Sequence, residues 1–252
     1  MELHSLIQLK IIFALAILAI AMIGGFWPFI KRQSSVSTAM TFSLAEAFAG
    51  GVFLGAGLLH MLPEATAQFL EAGYHYPWPF FIASISFFGL LFLEHAGSTL
   101  RGHGRIGIQV AWITTLMLSV HSLLEGSAMG LAINWTTLSI LFLAIMAHKG
   151  VASFALATEL NRSSLSFFSK IIAFVVFAIM TPVGIYLGSE ALFVGHSSLL
   201  VPIFNSLAAG TFLYIGILHG LERESEASSH NVKEFAIMFL GFMIMAIIAV
   251  WV

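Results

Sequence analysis

The 252-residue chain contains no cysteine and no aspartate, and only 9% of its residues are charged. Without cysteine there is neither a disulfide framework nor a thiolate metal site. Soluble globular chains carry about 25% charged residues, so an ordinary soluble domain is excluded. The twelve acidic residues are all glutamate and are set against ten Lys and Arg. The resulting net charge of −2 offers no basic field for nucleic acid. What the chain does have is hydrocarbon: 59% of residues are hydrophobic, with 24 Phe and 11 Met, and the mean hydropathy is +0.99. This is the composition of an integral all-α membrane protein.

Walking between the charges gives eight apolar segments, at 11–30, 41–63, 78–95, 106–130, 136–158, 168–188, 200–221 and 234–252. Each approaches the roughly 20 residues that a transmembrane helix needs. The first carries Glu2 ahead of it and no small-residue cleavage site before Lys31-Arg32, so it reads as a retained span rather than a signal peptide. No low-complexity tail or soluble domain is attached, and the expectation is one transmembrane domain over 1–252. The loops after segments one, three, five and seven hold Lys31/Arg32, Arg101/Arg105, Arg162/Lys170 and Arg223/Lys233, eight of the ten basic residues. The positive-inside rule then puts these loops in the cytosol and both termini outside.

Segments two and seven align without gaps, AGGVFLGAGLLHMLPE (49–64) against AAGTFLYIGILHGLER (208–223). Eight of the sixteen positions are identical, among them Gly57/Gly216, Phe53/Phe212 and His60/His219. By this topology helix two runs inside to outside and helix seven runs back, an inverted repeat relating helices 1–3 to helices 6–8 and leaving 4 and 5 as a central pair. The small-xxx-small pairs Gly51/Gly55, Gly126/Gly130 and Gly216/Gly220 read first as close helix crossings.

HSLLEG (121–126) and HKG (148–150) put polar chemistry inside apolar runs. His121 and Glu125 are four apart and share a helix face. His148 lies at a comparable depth on the next segment, across a short turn at Asn134-Trp135. Imidazole and carboxylate suit a borderline divalent ion such as Zn²⁺ or Fe²⁺. A carboxylate left alone in hydrocarbon costs at least about 2.5–3.5 kcal/mol, so Glu125 needs a cation. Lys149 is a rival for that role through a salt bridge to Glu125, expected to be partly formed. His60/Glu64 form a second i,i+4 pair near one end of helix two. His219 lies near the other end of helix seven, and Glu94-His95 near that end of helix three. A line from His60/Glu64 through the centre to His219 would cross the bilayer, although interfacial snorkelling also accounts for the end residues. His75, His103, His196 and His230 fall in loops, and Asn134-Trp135-Thr136 is a glycosylation sequon close against the membrane.

These residues resemble the Zrt-/Irt-like protein (ZIP) family of divalent metal transporters, and its animal-type zinc-uptake branch in particular. The resemblance covers the whole chain and rests on HSLLEG (121–126), HKGVASFALATEL (148–160), AGGVFLGAGLLHMLPEA (49–65) and LAAGTFLYIGILHG (207–220). It implies a central metal site at His121, Glu125 and His148, with Ser122 at a position often filled by Asn. Members with two metal sites have an acidic residue where Lys149 stands here and a glutamate where Ala152 stands, which implies a mononuclear site with the Lys149 ammonium in place of the second ion. His219 stands where Glu is frequent, and the loop HAGSTLRGHGRIG (95–107) is short where a long His-rich loop is common. The resemblance further implies an elevator-like or rocking carrier that brings metal into the cytosol.

The expected function is therefore transport of zinc, with Fe²⁺, Mn²⁺ or Cd²⁺ as other candidate substrates, no cofactor, and the plasma membrane as location. Divalent ions and the lipid bilayer are the expected partners, a homodimer is an option, and nucleic acid is not expected. Two alternatives remain open at this point: an intramembrane zinc-dependent hydrolase, and a metal-gated sensor.

Overall fold

In hydrocarbon the backbone has no water to bond, so apolar spans of this chain must satisfy their N–H and C=O groups as helices. The computed structural model describes residues 2–30, 36–101, 108–191, 199–221 and 232–250, and among these the regular structure is all helical. The elements are α1 (Glu2–Ile30), α2 (Val36–Ala56), a π-helical turn (Gly57–Met61), α3 (Leu62–Glu71), α4 (Trp78–Arg101), α5 (Ile108–Leu131), α6 (Trp135–Arg162), α7 (Phe167–Ala191), α8 (Leu200–Leu221) and α9 (Val232–Ile248). Four stretches are long and apolar enough to cross a membrane, Ser5–Ile30, Ser43–Glu71, Trp135–Arg162 and Phe167–Glu190, and Trp78–Leu93 and Val201–Ile217 are shorter apolar helices. Ile12, Leu15, Ile23, Phe88, Phe92 and Leu143 are exposed on the outside of the bundle, where hydrocarbon would meet them. Lys31, Arg32, Arg105, Arg223, His103, His196 and His230 lie outside the described residues, as do the side chains of Arg101, Glu94 and His219.

The second span does not stop at Pro63. The chain continues as helix to Glu71. The reason lies one turn earlier, where the Leu62 N–H bonds the Gly57 carbonyl in an i→i−5 pattern. That π turn restarts the helix so that Pro63 falls in a first turn, where its missing N–H is not needed. His60 sits within the π turn. The rod ends at Gly73, the glycine whose φ of +83° turns the chain toward α4.

The packing reproduces the repeat. Matching the first span with α7, the second with α8, α4 with α9 and α5 with α6 carries the observed pairs into one another. The α1–α6 pair becomes α7–α5, α2–α9 becomes α8–α4, and α2–α8 maps onto itself. The details obey the same operation. Gly57 faces Ala209 and Leu213, and its match Gly216 faces their matches Gly50 and Leu54. The matched rings Phe53 and Phe212 meet each other at 4.7 Å between centroids. As the numbers rise along α2 they fall along α8, so the two halves are antiparallel about this contact.

Each helix packs chiefly within one of two sets: α1, α5, α6 and α7, or α2 with α3, α4, α8 and α9. Glycines set the close crossings within the sets. A Cβ on Gly126 or Gly130 would collide with the α7 backbone at Thr181 or Ile185, and one on Gly51 with α9 at Met238.

Candidate metal centre

His121 is the fourteenth residue of the 24-residue α5 and His148 the fourteenth of the 28-residue α6, so both lie near mid-helix. Helix α6 is started by Asn134, whose Oδ1 accepts from the Thr137 N–H at 2.8 Å. The turn before it aligns α6 antiparallel to α5 and brings the two histidines level. Glu125 lies one turn along α5 from His121, on the same face.

The three side chains converge on one point. Glu125 Oε1 is 3.0 Å from His121 Nε2 and 2.9 Å from His148 Nε2. All three residues offer ligand atoms within 4.8 Å of one another. The short distances are not hydrogen bonds. The ring nitrogens of both histidines and both Glu125 oxygens are buried with no hydrogen-bond partner among the described residues. Buried polar atoms are ordinarily satisfied. A tetrahedral ion bound at about 2.0–2.2 Å places its ligand atoms about 3.3–3.6 Å apart, so an expansion of roughly half an ångström admits Zn²⁺ between them. Three protein ligands also leave one coordination position open.

Phe212 of α8 closes one side of this point, with its ring 5.1 Å from the His121 ring and 6.2 Å from that of His148. On another side a cavity of about 310 Å³ reaches the centre, lined by His60, Glu64, Gln68, His121, Glu125 and Asn205 among others. His60 Nε2 and Glu64 Oε2 are 4.0 Å apart on its wall. The structure thus brings His60 and Glu64 into one space with His121 and Glu125. His95 is exposed on α4.

Lys149 departs from expectation. Its ammonium is buried and donates to Ser122 Oγ at 2.8 Å, and it lies 4.0 Å from the Phe177 ring centroid. It makes no salt bridge with Glu125. One residue on from His148, its side chain leaves the helix about 100° away from the site. Its direct contacts are a hydroxyl and an aromatic face rather than the carboxylate. Arg162 also departs from the loop role assigned to it. It is the last residue of α6 and pairs with the buried Glu46 of α2.

Sequence reasoning missed Gln68 and Asn205 as cavity residues, and Phe212 as the wall of the centre. Phe212 carried a signal: it is matched to Phe53 in the repeat, and the two rings meet where α2 crosses α8. Glu46 also carried one, as a lone acid in an apolar run.

The sequence profile described as "ZIP Zinc transporter" matches residues 7–109 and 104–249. The chain is 27% identical to the zinc transporter ZIP2 of Homo sapiens, over 98% of this chain and 99% of that protein. It is 29% identical to the zinc transporter ZIP1 of Takifugu rubripes over 96% and 97%, and 27% identical to ZIP1 of Danio rerio over the same shares. These relatives are named as transporters, which sets the hydrolase alternative aside. A donor set held open at mid-bundle, an antiparallel repeat and matches along nearly the whole chain lead to one conclusion: the chain belongs to the ZIP zinc transporter family.

Proposed function

We propose that the protein carries Zn²⁺ into the cytosol through a single-ion site formed by His121, Glu125 and His148. The observation that carries this reading is that two of these unsatisfied donors, His121 and Glu125, line one cavity with His60 and Glu64. The ion enters past His60/Glu64, exchanges water for two imidazoles and a carboxylate, and leaves past His219. The open fourth position suits a carrier, since a site must be weak enough to release what it takes. The relatives named as zinc transporters support zinc as the substrate, and Fe²⁺, Mn²⁺ and Cd²⁺ are the competitors that the same donor types admit.

The single-ion reading is supported by the residues that stand where a second ion would need acidic ligands, Lys149 and Ala152. The buried Lys149 ammonium stands beside His148, and Ala152 supplies no ligand. The plasma membrane, with both termini outside, completes the reading. A single cysteine introduced near Val252 of this cysteine-free chain would be labelled from outside in intact cells.

The test is Zn²⁺ entry into proteoliposomes, beside Fe²⁺, for the parent and His148→Ala. Saturable entry that the substitution removes, with insertion intact, is the expected result. Equal entry in both proteins overturns the site.

A further inference from the structure

Interhelix polar contacts mostly stay inside one helix set. Lys10 reaches Gly130, Lys149 reaches Ser122 and Asn161 reaches Pro28 within the set that carries the metal ligands. Ser86 reaches Leu207 and Ser43 reaches Glu234 within the other. The Arg162–Glu46 pair crosses between them, with Nη2 2.5 Å from Oε1. Glu46 is 1% exposed and its partner's side chain 30%.

The position of the pair is specific. Glu46 precedes His60 on the second span by fourteen residues and Arg162 follows His148 by the same number, about 21 Å along each helix axis. The pair therefore lies at the end of the bundle opposite the cavity mouth at His60 and Glu64. Its neighbours brace it. Asn161 ties the end of α6 to α1, and Lys170 of α7 donates to the Asn161 carbonyl at 2.9 Å. The three helix ends act together, and Arg162 hands them to α2.

We propose that the Arg162–Glu46 pair is an ionic latch that fastens the metal-bearing helix set to the other set, holding the bundle closed opposite the His60/Glu64 cavity. This rests on the transport reading above. Parting the pair would take the guanidinium away from a carboxylate that is 1% exposed, a cost that water reaching this end would offset. Release of the latch and hydration of that end are therefore one event, and that event opens the exit for the ion.

The test uses the full chain in lipid nanodiscs, where both faces are accessible, and takes advantage of its lack of cysteine. Thr158, one turn before Arg162 and 4% exposed, is changed to Cys as a reporter. With Glu46→Gln added, a membrane-impermeant thiol reagent is expected to label it at least threefold faster. The exchange Glu46→Arg with Arg162→Glu is expected to return labelling to within twofold of the parent. Labelling of the Glu46→Gln protein at the parental rate overturns the latch, as does a folded exchange variant that stays fast. This readout needs no transport, so it separates failure of the latch from failure of the transport reading.

A second arm covers misfolding. Glu46→Cys with Arg162→Cys, joined by a short reducible crosslinker, is expected to lose at least tenfold of Zn²⁺ entry and to recover on reduction, with Zn²⁺ binding unchanged throughout. Equal entry in the joined and reduced states overturns the proposal.

Discussion

Glu125→Gln separates the cost of the central site from its use. The substitution keeps the shape and removes the charge. In the metal-free protein the charge is a burden, since a carboxylate near mid-membrane costs about 2.5–3.5 kcal/mol. The zinc-free variant is therefore expected to melt no lower than the parent. With zinc the sign reverses. At a free concentration of one thousand Kd the parent gains about 4.1 kcal/mol from binding. Loss of an outer-shell partner alone weakens metal sites by about 10–100-fold, so the loss of a direct, charged ligand is set at the upper value. The variant then sits at ten Kd and gains about 1.4 kcal/mol, leaving a deficit of about 2.7 kcal/mol. At roughly 2–4 °C per kcal/mol for a chain of this size, the zinc-induced rise in Tm should shrink by about 5–11 °C. The assay is thermal unfolding in detergent with and without Zn²⁺, with calorimetric binding beside it. An equal zinc-induced rise in the two proteins would refute the claim that Glu125 is a ligand.

Gly126→Ala should lower stability by about 1–3 kcal/mol, read as Tm, because the added methyl meets the Thr181 carbonyl of α7, which is backbone and cannot turn aside. Ser122→Ala should cost about 1.5–3 kcal/mol while Lys149 is present, the range for a hydrogen bond to a charged group. The same change in a Lys149→Met background should cost far less, and a thermal double-mutant cycle with no coupling would show that the contact contributes nothing. Asn134→Ala should cost about 1 kcal/mol through loss of the α6 cap. Because the Asn134 side chain is engaged in that cap one residue before the helix, intact-mass measurement on protein from glycosylating cells should find no sugar on it.

The sequence made the bundle, the repeat and the central donor set legible for one reason: each is written as a departure from a simple background. Hydrocarbon with a helical backbone is the default in a bilayer, so a histidine or glutamate within it stands out, and an i,i+4 spacing fixes its face. The features that stayed hidden depend on relations between helices. Pro63 reads as a stop, and only the π turn around His60 explains why the rod continues to Glu71. Lys149 and Glu125 look like an ion pair because they are close in depth. Lys149 leaves α6 at an angle that brings it to Ser122 and Phe177 instead. Arg162 reads as loop charge until α2 places Glu46 against it.

The treatment of buried charge separates the architectural groups from the working ones. Lys10 donates to the Gly130 carbonyl, Lys149 to Ser122, and Arg162 to Glu46, so each of these three cations has an acceptor supplied by the fold. Those contacts join helices α1 to α5, α5 to α6 and α6 to α2. His121, Glu125 and His148 are different. They are packed as closely as the lysines, yet their nitrogens and oxygens meet without hydrogen bonds. A protein that could have satisfied this carboxylate with the ammonium one residue from His148 turns that ammonium away. The arrangement makes sense if the missing partner is a cation that arrives and departs.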